Sequence, residues 1–216
     1  MANNSSLWQD DYWILLLQAY QQKPVGMKPL YSRLMVELAL ELHISPEYLH
    51  SRMFELRNAA TPSIKRLWER YDKKSSRLNR DAETVRNMNG FCNGKSFYEG
   101  VDTVASFEQD FLPIPKYENL KPVMLILVLD LYFRLTPITM NAETPEVREL
   151  AKLMRVPVED VVGIMEVYQI LDPYLSRNEF MVTPLLAPCQ KIWQRYGNGN
   201  IEELAAIAAQ LKDFFK

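Results

Sequence analysis

Apolar residues recur along this chain at three- and four-residue intervals, and no segment alternates strictly as an exposed strand does. In "YSRLMVELALEL" (31–42), Leu34, Leu38 and Leu42 fall four apart with Met35 beside them, which predicts one face of a helix. "SPEYLHSRMFELR" (45–57) repeats the pattern with Leu49, Met53 and Leu56. Ser45 suits the N-cap, Pro46 the first helical position and Glu47 the positive end of the helix dipole. "TPSIKRLWERY" (61–71) opens the same way on Thr61 and Pro62. "DDYWILLLQAY" (10–20) begins with two acids and then runs apolar until "KPVGMKP" (23–29) breaks it. "RDAETVRNM" (80–88) is helical up to the turn "NGFCNG", "SFYEGVDTVASFEQDF" (96–111) carries a weaker helical signal, and "LPIPKYENLKP" (112–122) reads as a linker. "VMLILVL" (123–129) is too short for a membrane span of about 20 residues and predicts a buried helix. The expected class is all-α.

The pattern recurs at an offset of 112. Leu17 meets Leu129, Tyr20 meets Tyr132, Glu37-Leu38-Ala39 meets Glu149-Leu150-Ala151, and Met53 meets Met165. Only 7 of 41 positions from Leu16 to Leu56 are identical, but the matches fall on inferred core positions. "LWERY" (67–71) also returns as "IWQRY" (192–196), after a longer connection. Two related helical units follow as the expectation: residues 8–111 with a basic extension, and residues 121–216 with an insertion at 175–188.

Leu38-Ala39, Leu42, Ile44-Ser45, Leu49 and Met53 fall at the core spacing of a helix-turn-helix. Ala39 is the small residue where the helices cross, and Ile44 is the apolar residue of the turn. His43 stands where that motif usually has glycine. The second set is Leu150-Ala151, Met154, Val156, Val161 and Met165, with Arg155 at the glycine position.

Residues 129–175 also resemble the helical module ahead of the catalytic domain in some bacterial HNH-type restriction nucleases. The resemblance rests on the helix end "LYFRLTP", on "ETPEVRELAKLM" and on the closing "ILDPYL". It covers less than a quarter of the chain directly, and about half through the repeat. The nuclease domain itself is absent: the only histidines, His43 and His50, lie within the first helix pair, and no catalytic residue carries over.

Charge separates the two halves. Residues 1–90 hold 13 Lys and Arg against 10 Asp and Glu, whereas residues 91–216 hold 12 against 17. Much of the positive excess lies in "IKRLWERYDKKSSRLNR" (64–80), a block that suits phosphate contact or a solvated helix face. If helix 45–57 buries Leu49, Met53 and Leu56, its outer face is Glu47, Tyr48, Ser51, Phe54 and Glu55, with His50, Arg52 and Arg57 on the flanks. The matching face of the second unit is Glu159, Asp160, Gly163, Glu166 and Val167, which suits no polyanion. Two readings therefore stand open. In one, the first unit contacts DNA or RNA through Arg52, Lys65, Arg66, Arg70, Lys73, Lys74 and Arg77. In the other, it docks a protein through Tyr48 and Phe54, or is a purely structural helical protein.

Signals for an enzyme are thin. His43 and His50 are not at metal-ligand spacing with each other or with a cysteine. The turns "NGFCNG" and "GNGN" lack the Lys-Ser/Thr of a phosphate loop, and there is no Gly-x-Ser-x-Gly elbow. The expectation is a non-enzymatic binding or regulatory module without cofactor, metal or membrane partner. Cys92 and Cys189 are far apart in sequence and read as free thiols. The N-terminal residues show no signal-peptide pattern. Both point to a cytoplasmic location.

Overall fold

A computed structural model describes residues 8–71, 75–88, 91, 107–175 and 182–216. The regular elements among these residues are all helices, and the only β pairing among them is the isolated bridge between Ile114 and Tyr117. The all-α class follows. None of the described helices is long and apolar enough to cross a membrane. The chain divides into two compact units, Met1–Val104 and Ala105–Lys216.

The first unit contains α1 (Tyr12–Gln21), α2 (Arg33–Leu42), α3 (Pro46–Arg57), α4 (Pro62–Tyr71) and α5 (Ser75–Arg86). α1 is the central element and packs against α3 and α5. It has no polar stripe, and Tyr12, Leu15, Leu16, Leu17 and Ala19 are all buried. The connection from α1 to α2 folds around Lys28, whose buried ammonium donates to the carbonyl of Gln22 at 2.7 Å and to that of Pro24. α2 buries Met35, Val36, Leu38, Ala39 and Leu42, while Leu34 is half-buried. α3 buries Leu49, Met53 and Leu56 as its spacing predicts. The caps also match. The Tyr48 amide donates to Ser45 Oγ at 3.4 Å, and the Ile64 amide to Thr61 Oγ1 at 3.3 Å. α5 starts at Ser75, earlier than the expected 80, because Leu78 already lies on the buried face with Ala82 and Val85.

The second unit contains α6 (Glu108–Phe111), α7 (Pro122–Tyr132), α8 (Pro145–Met154), α9 (Val158–Leu171), α10 (Leu186–Ile192) and α11 (Ile201–Leu211). A 3-10 turn covers Pro137–Thr139, a π turn extends α10 over Trp193–Gly197, and a second 3-10 turn, Lys212–Phe214, follows α11. The apolar run forms α7, buried over the whole of Val123–Tyr132. Even Asp130 is buried there, paired with Arg134 Nη2 at 2.6 Å one turn on. Trp193 packs against Tyr132, Phe133 and Tyr168. A Cβ at Gly197 would stand 2.6 Å from the Trp193 ring, so the π turn closes over the indole only with glycine there.

The division between the units falls before the expected linker. Residues 107–111, assigned from the sequence to the first unit, belong to the second. Phe111 packs on Phe214 at 5.2 Å, and Asp110 holds Arg195 through two hydrogen bonds of 2.7 and 2.9 Å. The stretch 112–122 is itself folded. The Ile114 amide donates to the Leu120 carbonyl at 2.8 Å, and both side chains are buried. Most of the expected helix over 96–111 lies outside the described residues, as do parts of the glycine turn at 89–94 and of the insertion at 175–188.

The offset of 112 maps Arg33–Leu42 onto Pro145–Met154 with both ends coincident, and the start of α3 onto the start of α9. His43 and Arg155 both adopt the left-handed conformation, at φ 55° and 59°. The Ile44 amide donates to the Ala39 carbonyl at 3.1 Å, and the Val156 amide to that of Ala151 at 3.1 Å. Ala39 and Ala151 are both buried. Tyr20 meets Trp68 edge-on at 5.5 Å, and Tyr132 meets Trp193 edge-on at 6.0 Å. Two details differ from expectation. Val156 is only half-buried, and Val167, expected on the outer face of α9, is buried. α9 packs on α7, α8 and α10, so it presents apolar residues on more than one side.

Two stability tests follow. Leu38→Ala and Leu150→Ala should each cost about 2–5 kcal/mol, seen as a lower denaturant midpoint at unchanged slope. Arg155 has a Cβ in a conformation that disfavours one. Arg155→Gly should therefore raise the midpoint by the equivalent of about 0.5–1 kcal/mol, and Arg155→Val should lower it.

Candidate functional site on the first unit

α3 is the element whose outer face is both exposed and chemically varied. Its first turn carries exposed Glu47, whose carboxylate accepts a hydrogen bond from the Tyr31 hydroxyl. Ser51 is exposed, and its hydroxyl donates back to the Tyr48 carbonyl at 2.7 Å. Phe54 is 54% exposed, a large aromatic side chain held toward solvent in the last turn of a regular helix. Glu55 is half-buried against Arg52, and Arg57 is exposed in the last turn.

Tyr48, expected to be exposed, is half-buried. Its ring lies 6.2 Å from Trp8, and its hydroxyl accepts from Arg52 Nε at 3.0 Å. The same guanidinium stands over three rings, at 4.9 Å from Tyr48, 5.4 Å from Trp8 and 5.8 Å from Trp13. It also donates to Glu55 Oε2 at 2.8 Å. Burial pulls the Arg52 pKa down, but the bonds to Tyr48 and Glu55 outweigh it, so the group is held charged. Arg52 is therefore boxed by aromatic faces and neutralised by a carboxylate, a poor arrangement for reaching a base edge. Trp8 and Trp13 were not among the residues singled out from the sequence. They lie some forty positions upstream of Arg52, and nothing local marks the contact.

The basic residues gather elsewhere. Trp68 Nε1 donates to the Leu56 carbonyl at 2.8 Å, which fixes α4 beside the C-terminal end of α3. Nine residues separate Glu47 from Leu56, about 13 Å along the axis. The cations of α4 and α5 thus lie toward one end of α3, and the acidic Glu47 at the other. Lys65, Arg66 and Arg70 are exposed on α4, and Arg77 on α5. Arg70 Nη2 and Arg77 Nε lie 3.7 and 3.8 Å from the same oxygen, Asp81 Oδ2, which also accepts from the Tyr71 hydroxyl at 2.7 Å. Burial and the bond to Asp81 raise the Tyr71 pKa. The two guanidinium groups therefore stand side by side over one carboxylate and keep about half of their side-chain surface in solvent. Asp81 is legible in hindsight as the i+4 partner of Arg77. Lys73 and Lys74 lie outside the described residues.

The face of α9 differs. Positions matching Arg52 and Glu55 are Ile164 and Val167, and both are buried. Its exposed residues include Glu159 and Glu166. Deeper in that unit, Tyr168 donates to the Leu125 carbonyl at 2.9 Å, and burial pushes the adjacent Cys189 thiol up to about 12. Such a thiol stays protonated near neutral pH.

His43 closes α2 and His50 is half-buried on α3. Among the described residues, no group of three or more His, Cys, Asp or Glu side chains could hold a metal ion. A shallow cleft of about 200 Å³ lies between α1, α2 and α5. Arg86 lines it, bound to Glu41 at 2.5 and 3.2 Å and to Gln18 at 3.0 Å. Its volume is below the usual span for a small-molecule site, about 300–1,000 Å³. No protein family, curated protein or solved structure matches this chain.

The box around Arg52 has a measurable consequence. Arg52→Ala should cost about 1–2 kcal/mol through loss of the cation–π contacts and exposure of the rings, while Arg57→Ala should fall within about 0.5 kcal/mol of the parent. Chemical denaturation of the two variants checks it.

Proposed function

We propose that the protein is a non-enzymatic docking module that binds a protein partner on the outer face of α3. One observation carries this reading: the face offers exposed Phe54 between Glu47 and Glu55, while its flanking cation Arg52 is already satisfied within the chain. An aromatic side chain held on a rigid helix is the kind of anchor that dominates protein interfaces. Base reading by a helix-turn-helix uses the N-terminal residues of the second helix in the major groove. Here those residues include Glu47, and the basic residues lie at the other end. The fold remains helix-turn-helix-like in this proposal, with residues 12–71 and 122–197 as two copies of one unit. The coincident helix ends, the paired left-handed residues and the recurring Tyr–Trp contact support that duplication. The likeness of residues 129–175 to the helical module of bacterial HNH-type nucleases fits a helical chain of this kind.

A second reading rests on Arg70 and Arg77. Two half-exposed guanidinium groups side by side can take one phosphate between them. In this reading nucleic acid is contacted through α4 and α5, independent of sequence, with Lys65 and Arg66 adding charge.

Titration of the full-length protein with random duplex and single-stranded DNA in about 50 mM salt separates the two, because phosphate-driven binding is strong at low salt. The docking reading expects no retention at micromolar protein. It also expects a partner captured from the native host whose binding is lost in Phe54→Ala and kept in Arg70→Ala. DNA retention that weakens in Arg70→Ala and Arg77→Ala, with the log K versus log salt slope flattened by about 0.9 per lost contact, would replace it with the second reading.

A further inference from the structure

Trp8 precedes α1 and closes over the flank of α3. Its ring stands edge-on to Trp13 at 4.9 Å and to Tyr12 at 5.8 Å, and with Trp13 and Tyr48 it encloses the Arg52 guanidinium. Two opposed terms meet in this one indole. Its face attracts the guanidinium, and that attraction grows as water leaves the box. Its Nε1 is buried and finds no acceptor among the described residues. A buried donor without a partner opposes the closed position, because opening returns it to water. Arg52 itself keeps a quarter of its side-chain surface exposed, so the box is incompletely closed.

We propose that Trp8 is a latch on the Arg52 flank of α3, and that its release bares an aromatic strip beside the exposed face that carries Phe54. Closed, the flank shows a guanidinium covered by three rings and paired with Glu55. Open, Arg52 loses the Trp8 face, while Trp13 and Tyr48 remain on α1 and α3 to line the exposed strip. Trp8 is suited to move because it lies before the first helix and, among the described residues, no helical hydrogen bond holds its backbone. Trp13 lies inside α1 and is fixed by it. The inference rests on the reading of α3 as the docking face, since a latch regulates only a surface that is used.

The latch is tested without any partner, so its failure and that of the docking reading are distinguishable. Full-length protein is treated with phenylglyoxal, and modification at Arg52 and Arg57 is followed by mass spectrometry. Arg57 is the internal reference because it is exposed on the same helix. In the parent chain Arg52 should react about ten-fold more slowly than Arg57. In Trp8→Ala that difference should fall to about three-fold or less, with the helical circular dichroism unchanged. Trp8→Leu keeps apolar bulk without the ring quadrupole and should lie between the two. It serves as the readout if the alanine variant does not fold. Equal reactivity of Arg52 and Arg57 in the parent chain would overturn the latch. So would full protection of Arg52 in a folded Trp8 variant.

Discussion

The amide of Ile44 donates back to the carbonyl of Ala39, five residues earlier, and the geometry of the first unit depends on that bond. It closes α2 and reverses the chain before α3 starts two residues later. The reversal needs a left-handed residue, which His43 supplies. It brings α3 close across α2, where Ala39 is fully buried. A larger side chain there would separate the helices and open the seam between Met35, Leu38 and Leu42 on one side and Leu49, Met53 and Leu56 on the other. α1 then packs on α3, and α5 on α1. The same bond between Val156 and Ala151 closes the corresponding turn of the second unit, with Arg155 left-handed in place of His43.

Given one frame, side chains on the second helix of each pair decide what its outer side does. At matched positions α3 has Arg52 and Glu55 where α9 has Ile164 and Val167. Burying each aliphatic side chain contributes roughly 1.5–3 kcal/mol, and α9 packs on α7, α8 and α10. A charged pair resists full burial unless every polar atom is satisfied. In α3 it is covered only in part, by aromatic rings that tolerate a cation. At these matched positions α3 therefore keeps a partly exposed side where α9 is buried.

The elements that depend on local periodicity were legible in the sequence: the core faces of α2 and α3, the caps at Ser45 and Thr61, and the burial of residues 123–129. The left-handed turn was legible only as the place where a glycine is usual, because His43 carries no signal of its own conformation. Residues 112–122 have the prolines and charges of a linker. What folds them is the bond between Ile114 and Leu120 and the burial of both side chains, which composition does not reveal. Val167 was misplaced because a helical wheel assumes one buried face, whereas α9 has neighbours on several sides. Arg52 was read as a flank cation, and its box is non-local: Trp8 and Trp13 reach it through the packing of α1 on α3.

Electrostatics weigh most in choosing between the two kinds of partner. A polyanion gains affinity from cations that give up mobile counterions when they meet phosphate. Arg52 is paired with Glu55, and Arg70 and Arg77 already share Asp81, so part of their charge is balanced before any phosphate arrives. Binding there would leave the carboxylate of Asp81 facing an anion or force it away. Phe54 has no such prior commitment. Covering it removes apolar surface from water at no cost in broken ion pairs, and exposed Glu47 on the same face biases the partner toward a basic rim. The face of α3 is thus better matched to an apolar, weakly basic protein surface than to a phosphate backbone, which is why we place docking ahead of nucleic-acid contact.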